Sequence, residues 1–152
     1  MTDTQQFDVI ISGAGLAGAS MALALANLTH NNGSKLRIAV IEAYSIDDNL
    51  PASYDARVIA LSHGSASYLQ ELGVWQQLKN NAQAITNIHI SDRDFYGKAR
   101  IDAKNYDVSA LGYVAEMQSI GNALLSPLLK NANYNNVKFF EQQTIAEINY
   151  EN

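Results

Sequence analysis

Residues 7–43, FDVIISGAGLAGASMALALANLTHNNGSKLRIAVIEA, decide the fold. Residues 7–12 form a short, β-branched apolar run stopped by Gly13, the pattern of a strand buried on both faces in a parallel sheet, where polar alternation is lost. Residues 13–28 are rich in Ala and Leu and contain no proline, which predicts a helix of about four turns. The polar tract Thr29 to Ser34, with Gly33 inside it, ends that helix. A second continuous apolar strand, residues 36–43, closes on Glu42. Strand, glycine turn, helix and strand in this order make a βαβ unit, so the fold class is α/β and Rossmann-like.

Within the unit, Gly13-x-Gly15-x-x-Gly18 lies between the first strand and the helix. Such spacing alone is weak, but here it follows a strand, opens a helix and is answered by an acid at the end of the second strand. In a dinucleotide site, Gly13 permits the tight turn, Gly15 lets a pyrophosphate approach the backbone, and Gly18 lets helix and strand pack closely. The helix N-terminus offers unpaired N–H groups to the phosphates. The candidate cofactor-binding residues are therefore Gly13, Ala14, Gly15, Leu16, Ala17 and Gly18, with Glu42 and Ala43 at the ribose. The turn alone does not choose between FAD and NAD, although a carboxylate at Glu42 disfavours the 2′-phosphate of NADP.

Beyond residue 43 the pattern changes. A loop at 45–56 is followed by a helix from about Ser62 to Leu72, ended by Gly73, and a second short helix over 74–81. Period-two alternation over 84–94, 97–104 and 111–117 predicts a small antiparallel sheet. Residues 118–131 return to helical spacing with Pro127 as a kink, and the chain from 137 onward reads as a strand. The expected organisation is a dinucleotide-binding core over 1–83, strands of an inserted, incomplete second domain over 84–117, and a helix and strand returning to the core over 118–152.

The 152 residues are 47% hydrophobic, which is too apolar for a disordered chain. With 10 Lys+Arg against 15 Asp+Glu the net charge is −5, and no basic cluster forms, which argues against a nucleic-acid partner. The absence of cysteine excludes disulfides, thiol nucleophiles and thiolate metal centres, so any redox chemistry requires a bound cofactor. His30, His63 and His89 lack converging ligands, so no metal is expected. Ser65 lies outside a nucleophile elbow. Asp92-Arg93-Asp94 reads as a solvated turn. Asp3 and Asp8 replace the basic region of a signal peptide, and no apolar stretch approaches the roughly 20 residues that span a bilayer, so a soluble, cytoplasmic protein is expected.

A second signal is Asp55-Ala56-Arg57-Val58-Ile59-Ala60-Leu61-Ser62-His63-Gly64. Arg57 can reach a pyrophosphate with bidentate geometry, or it can form a surface pair with Asp55 of little energetic weight. Together with the glycine turn, Glu42, and the words LGVWQQL, IHISDR and LGYVAEM, this stretch resembles the N-terminal part of the class A flavin-dependent aromatic hydroxylases, and within them the ubiquinone-biosynthesis branch. The resemblance runs from about Asp8 to the last residues. It implies FAD on Gly13, Gly15, Gly18 and Glu42, with Arg57 at the ribityl–pyrophosphate portion and a further polar contact around Gln118. It also implies a monooxygenase that hydroxylates a prenylated phenol using NAD(P)H and O₂, with peripheral contact at the inner face of a membrane or within a biosynthetic complex. Family members continue well beyond this length, so the chain is expected to be an N-terminal fragment that is inactive on its own. An NAD-dependent dehydrogenase, or another FAD oxidoreductase sharing only the dinucleotide unit, is the competing reading.

Overall fold

A computed structural model describes residues 4–46, 57–92 and 96–150. Asp55, Ala56 and the Arg93–Asp94 part of the expected polar turn lie outside the described residues. The chain divides into two units, one of residues 1–55 and 120–152, the other of residues 56–119.

The first unit is a three-stranded parallel sheet carrying one helix. Its strands are β1 (Val9–Ser12), β2 (Ile38–Glu42) and β8 (Val137–Glu141), in the order β1-β2-β8. Parallel pairing sets Val9 beside Ile38 and Ile38 beside Val137. Helix α1 (Leu16–Ala26) crosses between β1 and β2 and buries Ala19, Ala22, Leu23 and Ala26, while Ile38, Ala39 and Val40 of β2 are also buried. At about 25 cal/mol per Å² of apolar area, such burial is the main force holding helix to sheet. The βαβ unit expected from residues 7–43 is present, with α1 three turns long rather than four. It begins at Leu16 because the preceding residues form the glycine turn, where Gly13 adopts φ +94°. Most of helix α4 (Met117–Lys130) belongs to this unit and buries Ile120, Ala123, Leu124, Leu125 and Leu128; Pro127 lies inside it. The side chain of Asn136 joins three elements, its Nδ2 donating to the Ala26 carbonyl at 3.1 Å and to the Leu36 carbonyl at 2.8 Å.

The strand expected from 137 to the end is shorter than its sequence pattern. β8 stops at Glu141 because Gln142 turns the chain through the left-handed region at φ +56°, and the Gln143 N–H then donates to the Glu42 carbonyl at 3.0 Å.

At the other end of the sheet, Asp8 ties the starts of β1 and β2. One carboxylate oxygen accepts the Arg37 backbone N–H at 2.7 Å, and His30 Nε2 lies 3.2 Å from the same oxygen. The Arg37 backbone donor, then its guanidinium, then His30 draw the Asp8 carboxyl down to about 2. A carboxylate depressed in the folded state stabilises the fold above its unfolded value near 4 and loses that contribution as pH falls toward 2. Melting temperatures recorded from pH 5 to pH 2 are therefore expected to fall more steeply for the native chain than for Asp8→Asn, whereas parallel curves would refute the assignment.

The second unit is antiparallel. β3 (Val58–Ser62), β7 (Gly112–Glu116) and β4 (Ala82–Ile85) form a sheet in the order β3-β7-β4, and β5 (Asn87–Ser91) pairs with β6 (Lys98–Asp102) as a separate ribbon. Two departures from the expected pattern are instructive. Val58–Ser62 forms a strand, where the sequence gives only an approach to the next helix. The single alternating run 84–94 is broken at Thr86 and contributes to two different sheets. Helix α2 (His63–Glu71) begins where expected, with Ser62 as its N-cap accepting the Ser65 N–H at 3.1 Å, and it is followed by Gly73 at φ +78°. Helix α3 (Trp75–Leu78) and a short 3-10 turn (Lys79–Asn81) follow, and the Trp75 ring stacks edge-on against Tyr113 at 4.6 Å. His63 sits at the start of α2 with Nδ1 3.1 Å from the Ala110 carbonyl, and His89 is exposed on β5.

Candidate functional site

The C-terminal ends of β1, β2 and β8 lie side by side, the place where parallel sheets present ligand sites. There, Ser12, Gly13, Ile41, Glu42 and Ala43 line a cleft of about 280 Å³ together with Gln143, Thr144 and Ile145. Gly13 and Glu42, chosen from sequence 29 positions apart, are thus brought together.

The three glycines do three different jobs. Gly13 holds φ +94°, a backbone state that L side chains rarely adopt. A Cβ on Gly18 would lie 2.0 Å from the Gly13 carbonyl oxygen and 3.3 Å from Ile11 Cγ2, so helix and turn close against each other only with glycine there. Gly15 has ordinary dihedrals (φ −63°, ψ −178°), and a Cβ on it would meet nothing within 4 Å. The protein itself does not require glycine at position 15. The bare backbone faces open space, which is what a closely approaching ligand needs.

Gly15 is also the N-cap of α1, and no side chain caps this end, nor is there an acid in the first turn. The Ala19 N–H reaches the Gly15 carbonyl at 2.8 Å, so the amides of Leu16, Ala17 and Gly18 precede the first helical bond. These donors, the positive end of the helix and the open space over Gly15 fit a phosphate-bearing group.

Glu42 is buried, 7% exposed. Its Oε2 accepts the Ala14 N–H at 2.6 Å and its Oε1 the Tyr44 N–H at 3.1 Å. The carboxylate expected to face a ribose thus also fastens the turn.

Gln143, Thr144 and Ile145 were missed by sequence reasoning. They carry no motif and reach the cleft only because β8 pairs with β2 and the Gln143 N–H bonds the Glu42 carbonyl. Ala43 lines the same cleft.

Arg57 and Gln118 fall in the second unit. The Met117 N–H donates to the Arg57 carbonyl at 2.9 Å, next to the Val58–Glu116 pair of the β3–β7 ladder. Gln118, 61 residues on from Arg57, is the residue after Met117, in the first turn of α4. Among the described residues, no group of three or more His, Cys, Asp or Glu is placed to hold a metal ion. No helix among them is long and apolar enough to cross a membrane.

No protein-family model matches the chain. It is 38% identical over 126 residues to an uncharacterized protein of Synechocystis sp., a match covering 82% of this chain and 28% of that protein. It is 32% identical over 128 residues to the human protein named ubiquinone biosynthesis monooxygenase COQ6, mitochondrial, covering 84% of this chain and 27% of the relative. In fold it is similar to PqsL of Pseudomonas aeruginosa, described as a probable FAD-dependent monooxygenase, with a TM-score of 0.70 at 14% identity over 97% of this chain and 36% of that one. The chain spans about a quarter of the length of these curated relatives.

Proposed function

Because the chain is homologous to the N-terminal part of the ubiquinone-biosynthesis monooxygenases and shares the fold of FAD-dependent monooxygenases, we propose that it carries the adenine-nucleotide half of an FAD site in a phenol hydroxylase. The cleft that unites Gly13 and Glu42 supports this assignment most directly, together with the open space around Gly15 in the same turn. Gly13 to Gly18 receive the pyrophosphate, and Glu42 with Ala43 receives the ribose. Gln143, Thr144 and Ile145 form the wall on the β8 side, where an adenine would lie. Arg57 and Gln118, in the second unit, are retained from the family resemblance as further polar contacts to FAD.

When bound, a reduced flavin supplies the electrons that activate O₂ for ring hydroxylation, with NAD(P)H as the reductant and a prenylated phenol as acceptor. The residues of this chain bind and orient. Their backbone donors neutralise phosphate charge, and the Glu42 carboxylate disfavours a 2′-phosphate. The 152-residue chain has no hydroxylase turnover of its own.

Titration of the chain with ADP, FAD and NAD, followed by backbone amide shifts, tests the reading. The expected result is ADP-induced change at residues 13–18, 42–43 and 143–145, with additional change at Arg57 and Gln118 for FAD and not for NAD. No ADP-induced change at the glycine turn would remove the nucleotide site. Purification of this chain as a yellow protein that oxidises NADH would overturn the inactivity.

A further inference from the structure

We propose that Asn32 and Gly33, in the turn between α1 and β2, form a site of spontaneous covalent modification. The Gly33 main-chain nitrogen displaces ammonia from the Asn32 side chain, and water opens the resulting imide to leave an aspartyl or isoaspartyl residue at position 32. The proposal is independent of the nucleotide reading.

Asn32 is the one asparagine of the chain that is followed by glycine; every other asparagine with a successor precedes a residue bearing a side chain. Glycine has no Cβ, so nothing shields its nitrogen from the carboxamide carbon of the residue before it. The pair is exposed on a tight reversal between the bridged residues Thr29 and Lys35. There the His30 N–H donates to the Ser34 carbonyl at 2.8 Å, the Gly33 N–H donates to the His30 carbonyl at 2.9 Å, and Gly33 holds φ +83°.

The Asn32 side chain is arranged for the reaction. Its Oδ1 accepts the Ser34 N–H at 3.0 Å and the Ser34 Oγ–H at 2.7 Å. When the Gly33 nitrogen, its proton lost to hydroxide, bonds to Cγ, the carbonyl electron pair moves onto Oδ1. Both donors meet that growing charge, as the donors of an oxyanion hole do. Collapse re-forms the carbonyl and breaks the Cγ–Nδ2 bond, and the nitrogen leaves as ammonia with a proton from water. Hydrolysis of the imide adds one water, so the net change exchanges water for ammonia and needs no oxidant or reductant. The bond from Gly33 to His30 opposes the reaction and has to open first; in an exposed turn such local opening costs far less than global unfolding.

The product bears on the fold. Asn32 lines an open cleft with Asp8, Lys35 and Arg37. A carboxylate at position 32 adds negative charge near the Asp8–Arg37 pair that ties the starts of β1 and β2. The isoaspartyl form also lengthens the main chain by one carbon, within the two hydrogen bonds that close the turn. The connection between α1 and β2 therefore weakens as the chain ages.

Incubation of the native chain at mildly alkaline pH, followed by mass spectrometry of its proteolytic fragments, tests the site. Asn32 should convert first, at least about tenfold faster than Asn31, which is exposed in the same turn but precedes a residue with a side chain. Ser34→Ala removes one of the two donors and should slow conversion about tenfold, while Ser34→Thr keeps the hydroxyl and should restore most of the rate. Exchange of the Gly33 amide, recorded in each chain, corrects these rates for any change in opening of the turn. The converted chain, separated by its additional negative charge, should melt a few degrees lower than the native one. Another asparagine converting while Asn32 stays intact would overturn the site. Undiminished conversion in Ser34→Ala, once corrected for Gly33 exchange, would overturn the part given to Ser34, and an unchanged melting temperature would overturn the weakening.

Discussion

Replacing Gly18 by alanine should lower the folding stability by about 2 kcal/mol, reversing the usual sign of a glycine-to-alanine change inside a helix. Alanine ordinarily favours a helix interior by about 1 kcal/mol, because glycine loses more backbone freedom on folding. At this position the new methyl group would sit 2.0 Å from the carbonyl oxygen of Gly13 and 3.1 Å from its carbonyl carbon. Both are backbone atoms of a residue already held at φ +94°, so neither can move like the end of a flexible side chain. Overpacking of this kind costs about 1–3 kcal/mol or more, and it acts where α1 meets β1. For a domain of this size, each kcal/mol shifts the melting temperature by about 2–4 °C, so a loss of about 4–8 °C is expected. A thermal melt of Gly18→Ala that matches or exceeds the native chain would show that the helix and turn do not close as described.

Gly15→Ala should do the opposite, leaving the fold intact and removing the ligand. Around a Cβ at this position there is nothing within 4 Å, and φ is −63°, so alanine fits without strain. At an N-cap alanine is somewhat worse than glycine, which sets the expected stability change at about 0.5 kcal/mol. The methyl group would occupy the space through which a pyrophosphate reaches the backbone. ADP affinity is expected to fall about tenfold or more, equivalent to about 1.4 kcal/mol of binding. The pair of variants separates a packing glycine from a ligand glycine by two measurements on each, a melt and a titration. Equal ADP affinity in Gly15→Ala and the native chain would remove Gly15 from the site.

The legible part of the fold was the part written locally. Strand, turn, helix and strand over residues 9–42 follow from composition, the glycines and one acid, because the residues that mark each of them lie within one short stretch of chain. Ser62 and Gly73 bound α2 for the same reason, as a cap and a left-handed stop. β3 was hidden because Val58–Ser62 runs into His63 with no turn residue between strand and helix, and its pairing partner β7 lies some 50 residues on. The break at Thr86 was hidden because both halves of the run alternate alike, while the choice of sheet depends on β7 and β6.

The candidate site divides along the same line. Gly13, Gly15, Gly18 and Glu42 were found because their roles are local to one βαβ unit. The wall at Gln143 to Ile145 depends on the register of β8 against β2, a non-local fact with no sequence signature. The bond from Glu42 to Ala14 was also beyond reach, since an acid at a strand end points equally well to solvent, to a ligand or back to the chain.

The arrangement of the parallel sheet also sets an order of assembly. β1 and β2 are complete by residue 42, but their outer neighbour β8 lies at 137–141. The roughly 95 residues between them take a ribosome working at about 5–20 residues per second about 5–20 s to synthesise. During that interval the antiparallel unit of residues 56–119, contiguous in sequence, has all of its own strands in hand. The parallel unit waits with one edge of β2 unpaired. The segment that completes the wall of the cleft emerges only after the antiparallel unit, so the Gly13–Glu42 pocket closes only after everything between its two halves has been made.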